Sequence, residues 1–351
     1  MRLLLLLAAS LVGLACAKPV KDDGPEKILD LRLEALEGSL LRGTLVNKGK
    51  KDIRLFTRST ILDPNPVRKV SILSPKDQPR FIGVRARVSH DNVSDESLIL
   101  IKRNKPFNFI FDVAHTYDLS KGGAFDIIAE GIIPYAEKKS NDLTGQAAYR
   151  SNRLTVHVNG TTAHLAKRAL EERATVERDC VGDRALIADT ARQACAMVAI
   201  AAAQSALTGD ANQFVRYFRT ADPGIRGTVA ARFFAVANEC AGNSQHARIF
   251  CSDPARLCQS DYISVTLGNS ITNCDLYWQF PTVSNTCHGV GQATTTIHEI
   301  THVDGVFNPP TDDYQGHYGW PALADLSPEQ AIMNADNYGF YANSIYINVG
   351  C

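Results

Sequence analysis

Lysine is missing after Lys167, and cysteine is missing between Cys16 and Cys180. The two absences divide the 351 residues at nearly the same place. Residues 1–174 carry 28 Lys and Arg against 20 Asp and Glu, whereas residues 175–351 carry 9, all Arg, against 17. A net charge of zero therefore conceals halves of +8 and −8. A nucleic-acid partner is not expected, because the acidic half would repel phosphates. No CxxC pair occurs, which argues against a zinc site made of cysteines. With 45% hydrophobic residues the chain is too apolar for disorder.

Long apolar runs are also missing, except at the start. Leu3–Ala15 is an uncharged run of 13 residues, short of the ~20 that span a bilayer. It follows Met1-Arg2 and precedes the small-residue site Ala15-Cys16-Ala17. This is the form of a secretory signal, residues 1–17, with a soluble, extracellular product and no membrane partner expected. The remaining eight cysteines all lie in the C-terminal half. An even number in a secreted chain implies disulfides, although eight cysteines allow 105 pairings.

Residues 25–160 read as short strands. ILDLRLEAL, SLLRGTLVN, IRLFTR, FIGVRARVS, FNFIFDVA, AFDIIAEGII and RLTVHVN are β-rich and separated by Gly, Pro, Asn, Asp and Lys clusters. They predict an antiparallel, β-sandwich-like domain. Beyond it, Thr162–Arg178 is a charged stretch with the dibasic pair Lys167-Arg168. Asp183–Leu207 and Gly224–Cys240 are then helical in pattern. The predicted class is α+β, with a β-rich pro-peptide over 18–174, cleaved near 168–174, and a mainly helical domain with a small sheet over 175–351. The opposite charges would hold the halves together before cleavage.

The chemistry lies in His298-Glu299-Ile300-Thr301-His302, an H-E-x-x-H motif. On a helix, positions i and i+4 share a face, so two imidazoles can bind one Zn²⁺. Glu299 is then placed as general base toward the attacking water. A catalytic zinc needs a third protein ligand. Gly305 fits an extended H-E-x-x-H-x-x-G-x-x-H motif, but Asn308 stands where its third His belongs. Glu329, His317, Asp312 and Asp313 remain as candidates, the two aspartates best placed.

These residues, with Gly305-Val306-Phe307, Thr311-Asp312-Asp313, Tyr318-Gly319 and Asn334-Ala335-Asp336-Asn337-Tyr338, resemble the deuterolysin (aspzincin) family of fungal secreted zinc metalloendopeptidases. The resemblance extends to the layout of signal, long pro-peptide and mature enzyme. It implies a zincin catalytic domain binding one Zn²⁺ per chain, with His298, His302 and Asp313 as ligands and Asp312 as the fallback. It implies Glu299 and Tyr318 as catalytic residues, with Tyr314 the alternative oxyanion donor. Asp336 would orient a ligand histidine. Two departures stand out. Pro310 replaces a glycine of the family pattern, and Asp313 and Tyr318 are five residues apart where the family has three. The implied disulfides are Cys180–Cys251, Cys258–Cys274 and Cys287–Cys351, leaving Cys195 with Cys240. The implied substrates are internal peptide bonds of proteins, basic ones favoured, cut by a monomer held silent by its own pro-peptide. Two other readings remain open. One is a zinc peptidase of another clan, using Glu329 or His317. The other is a catalytically silent secreted effector.

Overall fold

Alternation of apolar and polar residues sets the N-terminal strands. In Leu29–Ala35, Leu29, Leu31 and Leu33 are buried while Asp30 and Arg32 face solvent, the period-2 pattern of a strand with one wet face. The computed structural model describes residues 25–351 apart from 74–77, 166, 168–178, 315–316, 321 and 349–350. The expected signal at 1–17 and the expected cleavage site near 168–174 lie outside the described residues.

Strands β1 (Leu29–Ala35), β2 (Leu40–Asn47), β3 (Ile53–Phe56), β4 (Ser71–Ile72), β5 (Arg85–Val88), β6 (Leu98–Ile101), β7 (Pro106–Asp112), β8 (Gly123–Ile128), β9 (Glu130–Glu137), β10 (Leu143–Arg150) and β11 (Leu154–Val158) come from the first half. Three antiparallel sheets, ordered β1-β2-β7, β10-β9-β3-β6 and β11-β8-β4, enclose a core that includes Leu31, Leu45, Leu55, Ile127, Ile133 and Val156. Three strands escaped the sequence reading: β4, β6 and β10. The expected single strand AFDIIAEGII is two, β8 and β9, broken at Ala129. Ser151 explains the break: its hydroxyl accepts the Ala129 N–H while its own N–H donates to the Ala129 carbonyl.

The C-terminal half contains helices α1 (Gly182–Thr208), α2 (Ala211–Phe218), α3 (Pro223–Ala241), α4 (Gln292–Thr301), α5 (Pro328–Ala331) and α6 (Ala335–Ile347), with strands β12 (Arg248–Phe250), β13 (Tyr262–Leu267) and β14 (Ser270–Asn273). Ala191, Ala194, Ala199, Ala202, Ala203 and Ala206 are buried on α1. Small side chains let α3 approach closely, and Cys195–Cys240 bonds the two helices. By length and composition α1 is also apolar enough to cross a bilayer, but its alanine face belongs to the protein core. Cys180–Cys251, Cys258–Cys274 and Cys287–Cys351 are paired as the family resemblance implied.

Two further expectations need correction. The C-terminal part of the expected mainly helical domain is not one continuous helix near Ser327–Ile347, because it is interrupted between Ala331 and Ala335. There Asp312 N–H donates to the Met333 carbonyl and Ala335 N–H to the Asp312 carbonyl, so a returning loop takes backbone groups that a continuous helix would need. The second concerns FIGVRARVS. Its core, β5, leaves the N-terminal sheets and completes the C-terminal one, ordered β12-β14-β13-β5. β5 runs antiparallel to β13 with Ala86 opposite Val265. The small sheet is therefore shared between the halves.

Candidate metal centre

Helix α4 is buried along its whole length. Ala293, Ile297 and Ile300 join the helical core, and the Thr294 and Thr296 hydroxyls donate to the Gly291 and Gln292 carbonyls. His298 lies on this helix, and His302 follows it with helical backbone. A left-handed turn at Gly305, φ +93°, then reverses the chain. A side chain at 305 would meet the His246 ring at 3.0 Å besides being strained. The returning loop is pinned where Thr311 N–H donates to the Thr301 carbonyl at 2.9 Å. That pin delivers Asp313 to the histidines.

His298 Nε2 and His302 Nε2 lie 3.2 Å apart, and Asp313 Oδ1 is 3.2 and 3.3 Å from them. Ligands ~2.0–2.1 Å from a tetrahedral zinc are separated by roughly 3.3–3.4 Å, so these edges fit one ion. The outward nitrogens are occupied. His298 Nδ1 donates to Asp336 Oδ1 and His302 Nδ1 to the Thr311 carbonyl, each at 3.0 Å. Such partners fix the tautomer that turns a bare Nε2 lone pair toward the metal. Asp313 Oδ1 and Glu299 Oε1 are buried with no hydrogen-bond partner. Orphaned carboxylate oxygens beside two imidazole nitrogens are the donor set a cation would satisfy.

The ionisation states agree. Burial opposes the charge on Asp313, but His302 and His298 outweigh it and hold the carboxyl well below the usual range. Burial likewise opposes protonation of His298, yet Asp313 and Asp336 raise it to about 9. A cation bound there would take the proton's place. Glu299 is pushed up by burial, with His298 and His302 only partly offsetting this. Its Oε2 accepts the Thr266 hydroxyl at 2.6 Å, which leaves Oε1 for chemistry.

The structure separates the alternatives. His298, His302 and Asp313 are the one group of potential metal ligands that converges among the described residues. Asp312 instead pairs with Arg68 at 2.7 Å and Arg85 at 3.0 Å. Glu329 is exposed and accepts the Ser327 hydroxyl at the start of α5. His317 Nδ1 donates to the Tyr314 carbonyl. Tyr314 has its hydroxyl bound to Gln330 Nε2. Tyr318 faces the site: it lines a small cavity with Asp313 and Ser59 and shares a hydrogen bond with the Ser59 hydroxyl. Burial, with Asp313 adding to it, pushes the Tyr318 hydroxyl well up. It remains a donor at any ordinary pH. Asp336 is buried, and its Oδ2 accepts the Gly319 N–H. Sequence reasoning missed Thr266, a strand residue with no motif around it, and Thr311 as the anchor of His302. It also missed Ser59, Ala86 and Arg87, which reach the site from the other half.

The sequence profile described as "Deuterolysin metalloprotease (M35) family" matches residues 1–351. A neutral protease 2 homolog of Aspergillus oryzae is 36% identical over 338 residues, 95% of each chain. One of Phaeosphaeria nodorum is 34% identical over 349 residues, 98% of each. Neutral protease 2 of Aspergillus oryzae is 35% identical, covering 90% of this chain and 91% of its own.

Proposed function

The chain belongs to the deuterolysin metalloprotease family and is a metalloendopeptidase, and from that premise we propose that it is a secreted zinc enzyme made as a pro-enzyme. The observation that carries the reading is the triangle of His298 Nε2, His302 Nε2 and Asp313 Oδ1, with edges of 3.2, 3.2 and 3.3 Å. A zinc ion held there would polarise the scissile carbonyl and acidify the attacking water. Glu299 Oε1 accepts that water's proton and passes it to the leaving amine. Thr266 keeps the carboxylate aimed while this happens. The Tyr318 O–H, released from Ser59, donates to the oxyanion as it develops.

Residues 1–17 are the signal, 18–174 the pro-peptide and 175–351 the mature enzyme, which acts as a monomer. The −8 charge of the mature part raises the local concentration of cationic polypeptides, so basic proteins are favoured substrates.

The test is zinc content and cleavage of casein and protamine by the secreted, processed protein beside Glu299→Gln. One zinc in both, with cleavage by the first alone, supports the reading. Zinc without cleavage in the wild type once its pro-peptide is gone would replace it with a structural metal site in a secreted effector.

A further inference from the structure

Three residues of the N-terminal half each engage a different member of the candidate site. The Ser59 hydroxyl shares its hydrogen bond with Tyr318. The Ala86 N–H donates to Asp313 Oδ2 at 2.9 Å. The Arg87 guanidinium places Nε 3.2 Å from Asp336 Oδ1 and donates from Nη1 to Thr295 at 2.9 Å. Arg87 is 1% exposed. It lies against Gly339 of α6, where an added Cβ would meet its Nη2 at 3.3 Å, so helix and arginine are matched. Asp336 Oδ1 is thereby shared between His298 and Arg87.

β5 carries two of these three. It pairs with β13 over Arg85–Val88, with Arg85 opposite Thr266, and Thr266 holds Glu299. The edge that β5 covers thus runs beside the candidate base. An exposed strand edge is a general receptor for an extended peptide, whose backbone adds one more strand. We propose that β5 is a built-in blocking strand that fills the peptide-binding edge of β13 and stays there after the junction between the halves is cut. This deepens, and rests on, the peptidase reading of the site.

Two observations make β5 a block and not a substrate. What it presents to the ligand carboxylate at Ala86 is an N–H donor, where a scissile bond would have to offer its carbonyl to the metal. And the strand is clamped on both sides. Arg68 and Arg85 hold Asp312, and the Ser94 N–H and hydroxyl hold Asp261. The contact continues away from the site. Asn65 Nδ2 donates to the Leu257 carbonyl at 2.7 Å and Tyr262 O–H to Asp63 at 2.6 Å. Arg58 Nε donates to the Ser260 carbonyl at 3.0 Å. None of these bonds involves the junction, so a cut there leaves them in place. Release needs a second event, such as destruction of the N-terminal half.

The test uses the uncut, zinc-loaded full chain as wild type, Ala86→Pro and Arg87→Met, with casein cleavage and backbone hydrogen exchange of residues 262–267 as readouts. Ala86→Pro deletes the N–H given to Asp313, and Arg87→Met removes the guanidinium while keeping an unbranched apolar stem. The wild type should be nearly silent with β13 protected. Each variant should cut at least about 10-fold faster, the equivalent of one lost hydrogen bond. Protection should fall on β13 and persist on α1 and α3, which shows that the fold survives. The proposal is overturned if the uncut wild type cleaves casein as fast as the C-terminal half freed of residues 18–174. It is also overturned if β13 loses protection and cleavage does not rise. If the C-terminal half freed of residues 18–174 itself cuts nothing, the peptidase reading fails. Exchange on β13 then decides the blocking strand alone, because unchanged protection in both variants refutes it.

Discussion

Asp312 and Asp313 are adjacent, yet their removal should have opposite consequences. Asp313 Oδ1 closes the triangle with the two imidazoles, so Asp313→Asn removes one of the three proposed ligands and the only negative one. Zinc affinity should fall by more than the roughly 10–100-fold that losing an outer partner costs, and cleavage should vanish with it. Asp312→Asn leaves the triangle intact. Its cost appears in the contact between halves, where Arg68 Nη2 at 2.7 Å and Arg85 Nε at 3.0 Å lose their anion. Breaking a buried pair costs about 3–5 kcal/mol. The Asp312 side chain is 27% exposed, which places the loss near the lower end, about 3 kcal/mol. In a chain of 351 residues that is a fall in Tm of roughly 4 °C. The assays are metal stoichiometry by elemental analysis and thermal unfolding of the full chain. If Asp312→Asn empties the site while Asp313→Asn keeps its zinc, the ligand assignment is wrong.

Thr266→Val removes the donor that aims Glu299 and should cut kcat about 10–100-fold with zinc retained, the range for a hydrogen bond to a charged group. Unchanged kcat would show that Glu299 is positioned by other means. Burial depresses His90 to about 4, against the opposing pull of Asp336, Asp91 and Asp261. Its folded pKa lies below the unfolded value of ~6.5, so the unfolded chain binds the extra proton between them. Stability is complete above pH ~6.5 and falls by up to about 3 kcal/mol as the pH drops toward 4. His90→Phe should flatten that part of the pH–stability curve, and an unaltered slope would assign the acid sensitivity elsewhere. The Cys195→Ser, Cys240→Ser double variant opens a loop with a sequence separation of 45, worth about 4 kcal/mol in the chain-entropy view. Denaturant unfolding should report that loss, and a change below about 1 kcal/mol would show that α1–α3 packing alone fixes the pair.

The proposed ligand pair and the proposed base were legible because they depend only on local geometry. H-E-x-x-H puts His298, Glu299 and His302 within about one turn of each other on any helix. The extents of α1 and α3 were legible for a similar reason: helical periodicity is a property of neighbours in the chain. The proposed third ligand was half legible. Composition narrowed it to a few acids and one histidine, and the resemblance chose Asp313. The physical choice between Asp312 and Asp313 comes from the Thr301–Thr311 pin and from two arginines more than 200 residues away. No local pattern encodes either.

The apolar alternation of residues 25–160, the split charge and the placement of cysteines determined by themselves a β-rich basic half and a helical, disulfide-bonded acidic half, because each is a property of short segments or of composition. Only the tertiary structure decided where β5 goes. Arg85–Val88 has the pattern of any short strand, and its burial on all four residues gives no partner. It reaches β13 because Asp312, Asp313 and Asp336 form a concentrated negative site that its arginines and backbone N–H neutralise. That complementarity exists only once residues from both ends of the chain have been brought within hydrogen-bonding distance.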